Sequence, residues 1–404
     1  MNYQLRRNKV LDLMSDNSLA IFFAGESLIS NADQVYPFWV NSNFYYLTGL
    51  QQEKTILVLS KFNGSQEQYI YTIKPNPLKA RWDGNWLSFD QVKEISGVNQ
   101  IKDLTLFDNL LPTEMKMREH LNIYLDLEHS RSANYQNESF TNKVKEFANA
   151  SIYNSFSIVA GMRSVKDADE IAAIRKSISY TATALDAVKE ALKSAKSESD
   201  IEAAFNYSLR MNGMKSTAFS TIVAAGKNAT TLHYGENNQE FVGDELLLID
   251  CGARFNNYAS DITRTYPING KFSARQKEVY SWVLGGMKVV FKNIKPGISC
   301  NELNDILKEY YAEVLTKAGL IKDASEVGEY YMHGVSHSLG IDTHDVGLLR
   351  AAPLVAGNVI TVEPGLYINQ WDIGIRIEDD ILVTDEGFDN LSSQIKKEIS
   401  EIES

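Results

Sequence analysis

The sequence predicts two domains of different class: a smaller α/β domain, a mixed sheet covered by helices, over residues 1–157, and a larger α+β domain over residues 162–404. Three features carry this prediction. A chain of 404 residues is too long for one ordinary core. Up to residue 157, short runs rich in branched and aromatic residues alternate with polar helical segments. Beyond residue 162, long helical patterns and antiparallel-looking strands come in runs.

The first stretch, "MNYQLRRNKVLDLMSDNSLAIFFAG", reads as a polar amphipathic helix followed by a strand, without the apolar region of a signal peptide. "SLAIFFAG", "KTILVLS", "EQYIYTI" and "LNIYLDL" read as strands. "SFDQVKEISGV" and "SFTNKVKEFANA" read as helices opened by a Ser N-cap. The character changes at "AGMRSVKDADEIAAIRKSISYTATALDAVKEALKSA". There Asp167 or Asp169 caps a long helix that carries Ile171, Ile174 and Ile178 at helical spacing. The boundary falls just before it, at residues 157–162. Further helices are expected in "ARQKEVYSWVLGGMKVVFKNI" and "CNELNDILKEYYAEVLTKAG". Strands are expected in "DELLLIDCGA", "NVITVEPGLYI" and "IGIRIEDDILVT". No internal repeat is visible.

The composition, 44% hydrophobic and 23% charged, is that of an ordered globular protein. A net charge of -12 argues against nonspecific nucleic-acid binding, which needs a basic face. The two cysteines, Cys251 and Cys300, exclude a disulfide framework and thiolate sites of the CxxC type. No apolar run is long enough to span a bilayer, so the expected location is cytoplasmic, without membrane attachment.

The chemistry concentrates in "HGVSHSLGIDTHD", where His333, His337 and His344 supply three of the chain's six histidines. Glycine-spaced imidazoles at this density suggest metal binding, proton transfer or ligand contact. The same domain places four acids in apolar settings. Asp250 ends an apolar strand, with Asp261 eleven positions on. Glu363 follows another strand at a Pro-Gly turn, and Glu378 lies between isoleucine and further acids. Taken singly, each acid has an ordinary explanation as a cap, a turn residue or an ion-pair partner. Together they are hard to stabilise except around metal ions, because a buried carboxylate without a cation or strong donor is very expensive. One imidazole with several carboxylates forms a mostly hard-oxygen environment, which suits manganese, or cobalt, iron or zinc at similar sites.

The ordered set Asp250, Asp261, His337, Glu363 and Glu378 resembles the ligand set of the pita-bread dinuclear metallopeptidases, a family that includes methionine aminopeptidase, prolidase and aminopeptidase P. Within it, "YPFWVNSNFYYLTGL", "HGVSHSLGIDTHDV", "VEPGLYI" and "GIRIEDDILVTDEGFDNLS" resemble the signatures of aminopeptidase P, the Xaa-Pro aminopeptidases. The resemblance covers nearly the whole chain. It implies a C-terminal pita-bread domain and two divalent metal ions, manganese first, with cobalt, zinc and iron as alternatives. It also implies removal of an N-terminal residue that precedes proline, through attack by a metal-bridging hydroxide. Peptides with proline in second position are the implied substrates, and the implied assembly is a homodimer or homotetramer.

Carried over residue by residue, Asp250 binds one metal, Asp261 and Glu378 bridge both, and His337 and Glu363 complete the second. Glu363 also takes and returns the proton. His333, His344 and His233 match histidines that line the substrate pocket and hydrogen-bond the scissile carbonyl. Strand alternation puts Arg376 on the face of Glu378, where it orients a ligand such as Asp250. Tyr367 is read equally as core packing or as a functional residue. Trp82 resembles a tryptophan that reaches a neighbouring subunit's active site, and a packed core tryptophan is the alternative. His120 and His129 read as surface histidines, and Cys251 as a small buried hydrophobe. Two departures lie near the mouth of the site. The segment between Glu363 and Glu378 is shorter than in many aminopeptidase P proteins, and Ser338 stands where a tryptophan often follows the ligand histidine. The rival functions are Xaa-Pro dipeptidase, methionine aminopeptidase, a metal-free creatinase-like hydrolase and a non-enzymatic interaction protein on the same fold. Retention of all five ligands disfavours the last two, and the large N-terminal domain disfavours methionine aminopeptidase.

Overall fold

The structure is a computed structural model that describes residues 1–78, 80–127, 135–347 and 350–403. His129 lies outside the described residues. The chain divides into two compact units, Met1–Arg163 and Ser164–Ser404. The interval 157–162 is part of a helix, Phe156–Ser164, rather than an extended linker.

In the first unit, six strands form one mixed sheet: β1 (Ser18–Phe23), β2 (Ile56–Phe62), β3 (Ser65–Thr72), β4 (Gln100–Asp103), β5 (Leu121–Leu125) and β6 (Ala150–Asn154), in the order β4-β3-β2-β1-β5-β6. The β1–β2 and β2–β3 pairs are antiparallel, and β3–β4, β1–β5 and β5–β6 are parallel. Every residue of β1 is buried, because it lies inside the sheet with helices over both faces. Alternate residues Leu19, Ile21 and Phe23 join Leu121, Ile123 and Leu125 in one apolar cluster with Phe107, Phe140 and Val144. Ser88 caps its helix through a reciprocal pair with Gln91. Ser139 does not cap the other: that helix already runs from Tyr135 to Lys145, so Ser139 lies in its interior. The turn preference of serine gives way there to a helical face that buries Phe140 and Val144.

The second unit is α+β. Its four long helices, Ala168–Ala191, Glu198–Met211, Ala274–Phe291 and Cys300–Lys317, each open on a capping box, at Asp167/Glu170, Ser197/Asp200, Ser273/Gln276 and Ser299/Glu302. They pack as consecutive pairs. After the first pair come β7 (Ile222–Ala225), β8 (Leu246–Cys251), a short hairpin of β9 (Arg254–Phe255) and β10 (Tyr258–Ala259), and β11 (Ile262–Pro267). After the second pair come β12 (Val359–Val362), a hairpin of β13 (Gly365–Ile368) and β14 (Ile373–Arg376), β15 (Asp379–Val383) and β16 (Phe388–Asn390). The antiparallel sheets are β11-β8-β7 and β12-β15-β16. The two halves therefore share one plan, a helix pair followed by two long antiparallel strands with a hairpin between them. This duplication escapes the sequence because almost no residue identities repeat with it.

The run "VITVEPGLYI" breaks where its Pro-Gly turn is expected, β12 stopping before Glu363, and "IGIRIEDDILV", read as one strand, is also broken, β14 stopping before Ile377 and Glu378. The chain changes sheet at each break. No described helix is long and apolar enough to cross a membrane.

Candidate metal and substrate site

The shared plan of the halves puts four carboxylates at the bases of the two hairpins. Asp250 and Asp261 flank β9–β10, and Glu363 and Glu378 flank β13–β14. Gly252 closes the first base: a Cβ there would lie 1.9 Å from the Ser260 carbonyl oxygen. The bases are joined where the Glu378 amide donates to the Thr263 carbonyl at 3.0 Å. The histidine segment then runs beside β12. Leu339 N donates to Val359 O, Thr361 N to His337 O and Glu363 N to Val335 O, at 2.9–3.0 Å. This sets His337 opposite Thr361, with its ring within reach of Glu363.

His337 Nδ1 lies 3.0 Å from the Ser338 carbonyl oxygen and donates to it. Its Nε2 then turns toward Asp261 Oδ2 at 3.3 Å and Glu363 Oε1 at 3.6 Å. Ligand atoms of Asp261, His337 and Glu378 lie within 4.8 Å of one another. Asp250 Oδ1 and Asp261 Oδ1 are buried with no hydrogen-bond partner. Burial first, and then the neighbouring carboxylates, push the carboxyl groups of Asp261 and Glu378 well above the ordinary range. An imidazole lone pair, orphaned oxygens and four acids with few compensating cations are the electrostatic signature of a divalent metal site, and the donors fit hard or borderline ions.

Arg376 is the cation that belongs to this cluster. It is 5% exposed, and its whole guanidinium is engaged. Nη2 donates to Asp250 Oδ2 at 2.6 Å, Nε to Thr263 Oγ1 at 3.1 Å and Nη1 to the Tyr367 hydroxyl at 3.0 Å. Thr263 Oγ1 in turn donates to Glu378 Oε2 at 2.7 Å. Tyr367, buried in β13, passes the network on to His333 Nε2 at 2.8 Å. The functional reading of Tyr367 gains support from these contacts. Burial lowers the His333 imidazole's affinity for a proton, with Glu363 opposing. Its Nδ1 meets the Gly334 carbonyl at 2.9 Å, so both ring nitrogens are occupied within the protein. Donation from His333 to a substrate carbonyl would require one of these two contacts to give way.

His344 stands with its ring centroid 4.2 Å from that of His337. Partial burial, then His337, with His233 adding, push its pKa down to about 4, so it is neutral at physiological pH. His233 is exposed, in the turn after Gly226–Thr230, and close enough to act on His344 electrostatically. Trp82 is 89% exposed, which overturns the packed-core alternative. His120 is exposed and Cys251 is buried, as their patterns suggest. Thr263, Thr361 and Asp380 were not singled out in the sequence. Thr361 Oγ1 accepts from the His337 amide at 3.1 Å and donates to Glu363 Oε1 at 3.3 Å. Buried Asp380 accepts from the Asp261 amide at 3.1 Å. Only its adjacency to Glu378 and Asp379 could have marked it.

Residues 172–385 match the model of Metallopeptidase family M24, and residues 3–124 match that of the Aminopeptidase P N-terminal domain. The Xaa-Pro aminopeptidase of Escherichia coli is 33% identical, with 99% of this chain and 96% of the relative covered. Xaa-Pro aminopeptidase 3 of Mus musculus is 31% identical over 100% of this chain and 85% of its own length. Among solved structures, a putative aminopeptidase P from Bacillus anthracis superposes with a TM-score of 0.95 at 39% identity, covering 99% of this chain and 96% of that one. Aminopeptidase P from Escherichia coli with the inhibitor Pro-Leu gives 0.93 at 31% identity, covering 100% and 97%. With the ligand geometry, these likenesses place the chain in metallopeptidase family M24, as a pita-bread metallo-aminopeptidase of the aminopeptidase P group.

Proposed function

We propose that this chain removes the N-terminal residue from peptides whose second residue is proline, using two divalent metal ions, with manganese the preferred ion. The observation that carries the reading is the convergence of Asp250, Asp261, His337, Glu363 and Glu378 at the two hairpin bases, with two buried carboxylate oxygens left without donors. Bound metal supplies an activated water and a Lewis acid at that point. Asp250, Asp261, Glu378, His337 and Glu363 would hold the two ions, Asp250 serving one, His337 and Glu363 the other, with Asp261 and Glu378 available to both. Glu363, whose Oε2 lies 3.7 Å from His333 Nδ1, takes a proton from the attacking water and returns it to the leaving nitrogen. Arg376 fixes the orientation of Asp250. Neutral His344 and exposed His233 donate to the developing oxyanion, and His333 braces the pocket through Tyr367.

Proline fits such a site because its nitrogen carries no hydrogen that the cleft must satisfy. An unpaired buried donor costs about 1–3 kcal/mol, so a cleft without an acceptor there selects against ordinary amides. The domain assignment follows: residues 1–157 form the aminopeptidase P-type N-terminal domain, and residues 162–404 the catalytic domain. Exposed Trp82 and Leu78 support association of copies into a dimer or tetramer, in which Trp82 reaches a neighbouring active site. The proposed location is the cytoplasm. Steady-state kinetics on matched Xaa-Pro-Xaa, Xaa-Pro and Xaa-Ala-Xaa peptides test the reading. The expected order is fastest on the longer proline peptide and negligible on the alanine peptide. A preference for the dipeptide moves the assignment to a dipeptidase, and efficient cleavage before alanine removes proline specificity.

A further inference from the structure

Away from the metal cluster, Glu198 is a fully buried carboxylate at the first position of helix Glu198–Met211. Among the described residues no lysine, arginine or histidine forms an ion pair with it. Four neutral donors satisfy it instead. Oε1 accepts from the Ala225 amide at 2.7 Å and Asn228 Nδ2 at 3.0 Å. Oε2 accepts from the Tyr234 hydroxyl and the Gln239 amide, both at 2.9 Å. The helix N-terminus adds a favourable partial charge. Only a carboxylate can receive two donors on each of two oxygens, so glutamine cannot replace it without a donor–donor conflict.

The partners share one feature. They span the stretch from the end of β7 to Gln239, and Tyr234 adjoins His233. The Glu198 amide also donates to the Gln239 carbonyl at 3.0 Å, and Asn228 Nδ2 reaches Gln239 Oε1 at 2.8 Å, so both ends of the stretch are tied to one point. His233 itself is exposed and has no hydrogen bond among the described residues, so its placement comes from its neighbours. We propose that Glu198 is a positioning residue for the peptidase reaction: it clamps the 225–239 loop at both ends and at Tyr234, and thereby holds His233 at the substrate. The proposal rests on reading His233 as a substrate-pocket residue.

A double-mutant cycle on the metal-loaded enzyme tests it, with Glu198→Gln, His233→Ala and the double variant assayed on an Xaa-Pro-Xaa peptide. The glutamine leaves at least one backbone N–H of the loop unpaired, so kcat/KM is expected to fall roughly tenfold or more, with metal content unchanged. In the His233→Ala background the same change is expected to cost less than about twofold, because there is no histidine left to place. Equal cost in both backgrounds, or loss of metal in Glu198→Gln, overturns the proposal while leaving the reading of His233 intact. Full activity in His233→Ala overturns that reading and the proposal with it. Tyr234→Phe removes a single donor and spares the fold. It serves as the second arm if Glu198→Gln does not accumulate, and it must show the same dependence on His233.

Discussion

Arg376→Leu separates a charge that serves the metal cluster from one that serves the fold. The wild-type guanidinium makes a 2.6 Å charge-assisted bond to Asp250 and further bonds to Thr263 and Tyr367, with all of these groups within the second unit. Leucine keeps much of the apolar stem and removes every one of those bonds. Breaking a buried pair from one side costs about 3–5 kcal/mol, mostly as the penalty of the uncompensated partner. For a unit of this size that corresponds to a fall in melting temperature of about 6–20 °C in metal-free protein. With saturating manganese, the cation beside Asp250 supplies the missing counter-charge, so the fall should be less than half as large. Calorimetric melts of wild type and variant, with and without metal, give all four values. An equal loss in both states would refute the reasoning, because Arg376 would then be stabilising the strands irrespective of Asp250's charge. Arg376→Lys should recover only part of the effect, since an ammonium cannot span the three acceptors.

The histidines divide by role: His337→Ala should lose bound metal, whereas His344→Ala should keep it and lose about 10²–10³ in kcat. Equal metal loss measured by elemental analysis in both variants would contradict this. In metal-free protein, burial raises the carboxyl groups of Asp261 and Glu378, so the fold holds protons that the unfolded chain releases above about pH 4. The contribution of these two groups to stability then declines as pH rises from there toward neutrality, and an Asp261→Asn variant that melts with the same pH dependence as wild type over this range would contradict it. Gly252→Ala drives a methyl group into the Ser260 carbonyl and should disturb Asp250 and Asp261 together, which metal-binding isotherms would reveal as weakened affinity.

Local signals were legible in the sequence where the physics is local. The Asp167 cap with Glu170 at its third position, and the alternation of Leu19, Ile21 and Phe23, specify their elements from within a few residues. The gathering of these acids near His337 was legible because acids in apolar runs demand a cation wherever the chain folds, while the individual metal roles rest on the family resemblance. The turn after Glu363 was legible in its Pro-Gly pair, whereas the break at Glu378 was not, because the strand pattern continues on both sides of it while the strand partners change. Thr263, Asp380 and Glu198 matter through contacts with residues 27 or more positions away, and no local pattern carries those. Ser139 failed as a cap because a serine that can cap is also tolerated inside a helix. Trp82 failed as core because a lone tryptophan between polar residues carries no face.

The central claim, that the five residues at the hairpin bases hold two metal ions on which hydrolysis depends, is tested most directly by titrating manganese into chelator-stripped protein. Bound metal and cleavage of an Xaa-Pro-Xaa peptide are followed together. Activity should be absent at the start and rise to a plateau at two ions per chain, with His337→Ala failing to reach it. Full activity in the stripped protein, or saturation without gain of activity, would contradict the claim.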